Sequence, residues 1–157
     1  MTGSIRRIIF QLFHPALKVE TGRAGAFVKF QKKAFPLGLA LNKFNEVPER
    51  IDNPDLAVIV RNPLAEFGAA NPGTVFFDPT TDALFELFQT PKSVYFVAEK
   101  DGKILGGGGI FPTEGLHEGT CELVKMYLLP EARGIGLGHT LIKKCLETAM
   151  KIGFQQV

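Results

Sequence analysis

The sequence predicts an α/β (α+β) domain, a sheet of antiparallel strands flanked by helices, and three observations carry that prediction. Apolar runs at residues 93–99 and 104–111 are joined by Asp101-Gly102, a two-residue hairpin signal. A third run, residues 122–129, leads through Pro130 and a glycine-rich stretch into the ladder Leu137, Leu141, Cys145 and Ala149, which recurs at helical spacing. Upstream, Asp52 and Asp78 each precede a proline and an apolar stretch, the pattern of a helix start.

Composition bounds the problem. The 157 residues are enough for one domain, and fourteen Phe with no Trp is a globular composition. Cys121 and Cys145 are the only cysteines, so neither a disulfide framework nor a metal cluster is expected, and a reducing, cytoplasmic setting fits. No run of about 18 apolar residues exists, so no transmembrane segment is expected. The net charge of +2 conceals an asymmetry: residues 1–45 hold eight Lys/Arg against Glu20 alone, whereas residues 46–157 hold ten against fifteen Asp/Glu. The chain is therefore read as a basic leader, 1–45, and a domain, 46–157.

In the leader, Ile5, Ile8, Ile9, Leu12, Phe13 and Ala16 trace a helical stripe that Pro15 cuts short. A targeting presequence, a membrane-surface contact or a loosely packed leader all suit it. Phe27, Phe30 and Phe35 among lysines resemble a nucleic-acid surface only in composition, and no binding module accompanies them.

The first helix is expected from Asp52 or Asn53, with Leu56, Val58, Ile59 and Val60 on its apolar side and a kink or break near Asn62, because Pro63 removes an interior hydrogen bond. Asn71-Pro72-Gly73 marks a turn, and Asp78-Pro79 starts a second helix through Leu84, Phe85, Leu87 and Phe88. The glycines at 106–109 interrupt the second strand and imply a bulge or a close approach to its backbone. Gly153 should cap the last helix, and Phe154 opens another strand.

The stretch Arg133-Gly-Ile-Gly-Leu-Gly-His139 is neither of two familiar phosphate loops: it lacks the third glycine of G-x-G-x-x-G and the Gly-Lys-Ser/Thr of the P-loop. Unpaired amides in such a loop, added to the helix dipole, still suit a pyrophosphate. Arg133-x-x-Gly136-x-Gly138 after an apolar strand resembles the acetyl-CoA pyrophosphate loop of the GNAT superfamily of N-acyltransferases, Arg/Gln-x-x-Gly-x-Gly/Ala. With the strand Glu122-Leu-Val-Lys-Met-Tyr and the two strands before it, the resemblance runs from about Ile51 to the C-terminus.

That resemblance implies a GNAT-like mixed, mostly antiparallel sheet and transfer of an acetyl group from acetyl-CoA, without metal, to a small-molecule or protein amine. Arg133, Gly134, Ile135, Gly136, Leu137, Gly138 and His139 would hold the pyrophosphate, and the backbone of Met126, Tyr127 and Leu128 would pair with the pantetheine arm. Glu122 would serve as general base, since an apolar strand desolvates a carboxylate and raises its pKa. The plain alternatives for Glu122 are a pair with Lys125 or an exposed residue at the start of the strand. Lys125 reads as structural or solvated, His117 and His139 as surface residues, and Tyr95 and Tyr127 as core residues that double as thiol acids only by default. The acceptor pocket would lie around residues 69–77.

In the family, the strand starting at Phe154 continues into a further helix and strand pair, so the resemblance also implies an incomplete domain. The rival readings are a non-catalytic acyl-CoA-binding or interaction module, a homodimer formed through the C-terminal edge strand, and a leader that binds nucleic acid or membrane.

Overall fold

The structure is a computed structural model that describes residues 49–157 in full and, before them, the backbone of residues 19–22, 25–28 and 43–45. The expected stripe from Ile5 to Ala16, and Phe30 and Phe35, lie outside the described residues. The chain divides into two compact units, Met1–Ala40 and Leu41–Val157. In the first, β1 (Val19–Gly22) pairs antiparallel with β2 (Gly25–Val28), Val19 opposite Val28.

The second unit is built on a sheet of order β3-β4-β5-β6, with β3 at Lys43–Asn45, β4 at Val94–Lys100, β5 at Lys103–Phe111 and β6 at Glu122–Leu128. All three pairings are antiparallel. Among the described residues, the mixed character expected of the sheet rests on one parallel bridge, Thr120 to Gln156. Because Phe44 sits opposite Ala98 on β4, this unit begins a little before the boundary expected at residue 46. Helix α1 (Asn53–Glu66) packs on β5 and β6, α2 is the single turn Leu84–Leu87, and α3 (Leu137–Ile152) packs on β4, β5 and β6.

Helices cover both faces of the sheet. Tyr95, Phe96, Val97 and Ala98 are all buried in succession, which a strand shows when neither face meets water. Phe96 carries the Lys144 ammonium of α3 5.0 Å from its ring centroid. Tyr95, on the alternate face, packs at 4.9 Å on Phe88, just past α2. The expected ladder on α3 is the buried stripe Leu137, Leu141, Cys145 and Ala149, and Gly153 closes the helix with φ +103°, a left-handed geometry that favours glycine.

Two helix expectations need correction. No break interrupts α1 at Asn62: Pro63 lies in its last turn, where the one lost bond is to the Ile59 carbonyl, and its buried ring adds apolar contact. The helix expected after Asp78 is instead a 3-10 turn, Pro79–Asp82, and the short α2, separated by Ala83 at φ −133° and ψ 47°. Asp78 does cap the 3-10 turn, accepting from the Thr80 amide at 2.9 Å. The α2 turn is capped from a distance, its Phe85 amide donating to the Asn53 side chain at 2.8 Å.

The glycines of β5 answer to crowding on both sides. A Cβ on Gly107 would lie 2.5 Å from the Tyr95 ring, one on Gly108 2.6 Å from Met126, and one on Gly109 against the Val94 carbonyl and the Phe88 and Tyr95 rings. Gly109→Ala should therefore cost about 1–3 kcal/mol, read as a lower urea midpoint by far-UV circular dichroism. A midpoint unchanged from wild type would show that the rings have room to move.

Candidate functional site

The glycine loop connects β6 to α3 by way of a 3-10 turn at Pro130–Ala132. Gly134 at φ +75° and Gly136 at φ +86° turn the chain, and a Cβ on either would meet nothing within 4 Å, so the loop surface is open. Among the described residues, the amides of Gly134, Ile135, Gly136, Leu137 and Gly138 find no hydrogen-bond acceptor. Helix α3 begins at Leu137, which places this row of donors at the positive end of its dipole. Leu137 and Gly138 are buried, while Ile135 and His139 are exposed.

Arg133, expected among the pyrophosphate contacts, is tied to helix α1. Its guanidinium forks onto Glu66 at the end of α1, at 3.0 and 2.8 Å, its Nε donates to the Leu128 carbonyl at 3.3 Å, and it lies 5.7 Å from the Phe67 ring centroid. The Arg133 guanidinium holds the Glu66 carboxyl below the usual range.

Glu122 stands at the first residue of β6, exposed, with its carboxylate accepting from the Thr113 hydroxyl at 2.5 Å. The apolar surroundings expected to desolvate it are missing, and it does not pair with Lys125. His117, in the loop before β6, is exposed as well. Met126 and Tyr127 are buried, Leu128 is half-buried, and β6 borders the sheet order β3-β4-β5-β6.

The feature that sequence reasoning missed is on β6 itself. Its register with β5 steps from Tyr127–Gly107 to Val124–Gly109, so Lys125 and Met126 together oppose Gly108. This is a β-bulge, and Lys125 within it takes φ +48°, rare for a residue with a side chain. Simple alternation fails across it, and the Lys125 side chain, 7% exposed, turns inward. Its ammonium donates to Asp78 Oδ2 at 2.9 Å and to Thr81 Oγ1 at 3.1 Å. Its carbonyl accepts from the Tyr95 hydroxyl at 2.9 Å.

The expected acceptor region, residues 69–77, is tied down at its far end by the same groups. Thr81 Oγ1 donates to the Val75 carbonyl at 2.9 Å, and Arg61 bridges the Phe76 carbonyl, at 2.9 Å, and Asp82. Phe76 and Phe77 pack on each other at 5.0 Å, with Phe77 half exposed. The lone lysine in an apolar strand, opposite a run of glycines, was the available signal.

Neither tyrosine is a ready acid. Burial pushes Tyr127 up to about 12 and Tyr95 higher still, and the Tyr95 hydroxyl is already donated. Burial likewise raises the Cys121 thiol to about 11 and Cys145 to about 12. Among the described residues no group of three or more His, Cys, Asp or Glu is placed to hold a metal, and no helix is long and apolar enough to cross a membrane.

Comparison with known proteins gives concordant results. The model of the acetyltransferase (GNAT) family matches residues 64–157. The uncharacterized N-acetyltransferase YjgM of Escherichia coli K12 is 41% identical over 106 residues, 67% of this chain and 64% of YjgM. The chain thus spans less than two thirds of that relative's length. The structure of a GNAT-family acetyltransferase from Staphylococcus aureus Mu50 superposes with a TM-score of 0.60 at 14% identity, covering 71% of this chain and 68% of that one. That of yncA from Salmonella typhimurium, solved with its cofactor acetyl-CoA, superposes with a TM-score of 0.55 at 20% identity, covering 71% and 64%. At these identities the structural likeness is one of fold.

The Lys125–Asp78 pair makes a pH-dependent contribution to stability. Burial pushes the Asp78 carboxyl up, but the Lys125 ammonium and the Thr80 hydroxyl and amide outweigh it and hold it below the usual aspartate value. A carboxyl depressed on folding stabilises the native state fully above its unfolded pKa of about 4, and this is lost as pH falls through the lower folded value. Asp78→Asn should therefore cost about 1–2 kcal/mol at pH 7, less than for a fully buried pair because Asp78 is partly solvated. The difference should shrink below pH 4, and urea midpoints at pH 7 and pH 3 check both values; an equal deficit at the two would exclude ionic linkage.

Proposed function

The chain belongs to the GNAT acetyltransferase family, and on that premise we propose that it transfers an acetyl group from acetyl-CoA to an amine acceptor. The observation that carries the proposal is the open glycine loop between β6 and α3, whose amides lie without acceptors at a helix N-terminus. The acetyl-CoA held as cofactor by Salmonella yncA supports the choice of donor. YjgM, named an N-acetyltransferase, supports the choice of reaction.

Each element then has a role. Amides of residues 134–138 hold the pyrophosphate, with Arg133 and His139 bounding the loop. The outer edge of β6 at Met126, Tyr127 and Leu128 offers backbone groups to the pantetheine amides in the manner of an added strand. Acetyl-CoA supplies an acyl group activated as a thioester. A backbone N–H at the bulge, where the register with β5 shifts, supplies the hydrogen bond for the oxyanion that develops when an amine attacks that acyl carbon. Glu122, exposed at the head of the same strand, accepts the amine proton through water. Collapse of the oxyanion breaks the C–S bond to release the coenzyme A thiolate, which takes a proton from solvent. The half-exposed Phe77 gives the acceptor region an apolar component.

A second reading rests on the exposure of Glu122, which leaves that carboxylate without the apolar setting of a tuned base: an acyl-CoA-binding module that does not turn over. Calorimetric titration with acetyl-CoA should give one saturable site that Gly136→Val abolishes while unfolding stays cooperative; undiminished binding by the variant would rule out the loop. A panel of a diamine, a lysine peptide and an alanine N-terminal peptide, with release of free CoA thiol as the readout, separates the two readings. Amine-dependent release that falls about 100-fold in Glu122→Gln, with acetyl-CoA affinity retained, supports the base; binding without release supports the module.

A further inference from the structure

We propose that Lys125 is a positioning residue, whose side chain clasps the β6 bulge to the acceptor wall so that the bulge amide stays aimed at the donor's thioester carbonyl. The inference rests on the acetyl-transfer reading above and names a residue through which that site would act. Three facts carry it. Lys125 holds φ +48°, a conformation that a side chain disfavours and that surrounding contacts must impose. Both ends of the residue are fastened: its carbonyl takes the Tyr95 hydroxyl at 2.9 Å, and its ammonium donates to Asp78 at 2.9 Å and Thr81 at 3.1 Å. Lys125 and Met126 have no separate register partners on β5, so the ladder does not fix this peptide.

The partners of the ammonium are themselves fixed. Asp78 Oδ1 accepts from the Thr80 amide at 2.9 Å and Oδ2 from the Thr80 hydroxyl at 2.7 Å. Thr81, fully buried, is tied to the Val75 carbonyl, inside the segment taken as the acceptor wall. One side chain thus joins the strand that would polarise the acyl group to the segment that would present the amine. The ammonium is neutralised by Asp78 and almost wholly enclosed, so it acts through placement and does not itself meet the reacting atoms. Tyr95 closes the other side: its ring lies over Gly107 and Gly109, and a side chain at either would displace the hydroxyl that holds the bulge carbonyl.

The test compares coenzyme A with acetyl-CoA labelled with carbon-13 at the thioester carbonyl, each bound to the full chain. A hydrogen bond to that carbonyl should make wild type favour acetyl-CoA over CoA by about threefold to tenfold and lower the labelled carbonyl's infrared stretch. In Lys125→Met the preference should vanish and the band return toward its free position, with CoA affinity within about twofold of wild type. Lys125→Arg, which keeps a donor to Asp78, should restore both signals in large part. If Lys125→Met does not unfold cooperatively in urea, Asp78→Asn and Thr81→Val carry the same comparison. A folded Lys125→Met with the wild-type preference and band would overturn the clasp. Wild type that binds both ligands with an unshifted band would overturn it too, leaving CoA binding intact, whereas wild type that binds neither would overturn the acetyl-transfer reading along with it.

Discussion

A tyrosine on one strand can bond a carbonyl two strands away only if the strand between them presents no side chain. Tyr95 on β4 reaches Lys125 on β6 across β5, and β5 meets that condition with Gly107 and Gly109. The same absence of Cβ atoms admits Phe88 on the Tyr95 face and lets Met126 close over Gly108. Strand glycines weaken a sheet by the backbone freedom they add to the unfolded chain. Here the loss is offset by two aromatic side chains and a methionine packed where substituents would stand. The sheet, the bulge and the chain entering the glycine loop all lean on this arrangement.

Much of this could be read from the residues. The Asp101-Gly102 turn, the buried stripe of α3 and the Gly153 cap follow from local chemistry, and the structure has each of them. The loop at 133–139 was visible because glycine spacing and a following helix are both local signals. What escaped detection depended on distant partners. Nothing near Lys125 in sequence announces Asp78 and Thr81, 47 and 44 residues away, so the residues alone left it structural or solvated without naming its partners. Glu66 is equally remote from Arg133, and the isolated motif made that arginine look available. Pro63 misled in the other direction, because a proline in the last turn of a helix forfeits a single bond without ending it.

Glu122 illustrates a limit of reasoning from apolar neighbours. A residue in an apolar strand can still meet water if it stands at the strand's first position, and Glu122 does, across from Phe111 with a threonine hydroxyl for company. Position along the element decided its environment, whereas composition of the element suggested another. The bulge downstream shows the converse, with a lysine drawn into the interior because the local twist rotates its side chain away from the face that alternation assigns.

The two cysteines have a bearing on disulfide exchange. Exchange with a small-molecule disulfide requires a thiolate that the disulfide can reach. Cys121 and Cys145 are both enclosed and both held as thiols far above neutral pH. Cys145 points its sulfur at the Gly108 carbonyl from inside the α3 stripe, fully buried. Burial and a raised pKa thus act together to keep both sulfurs out of thiol–disulfide exchange.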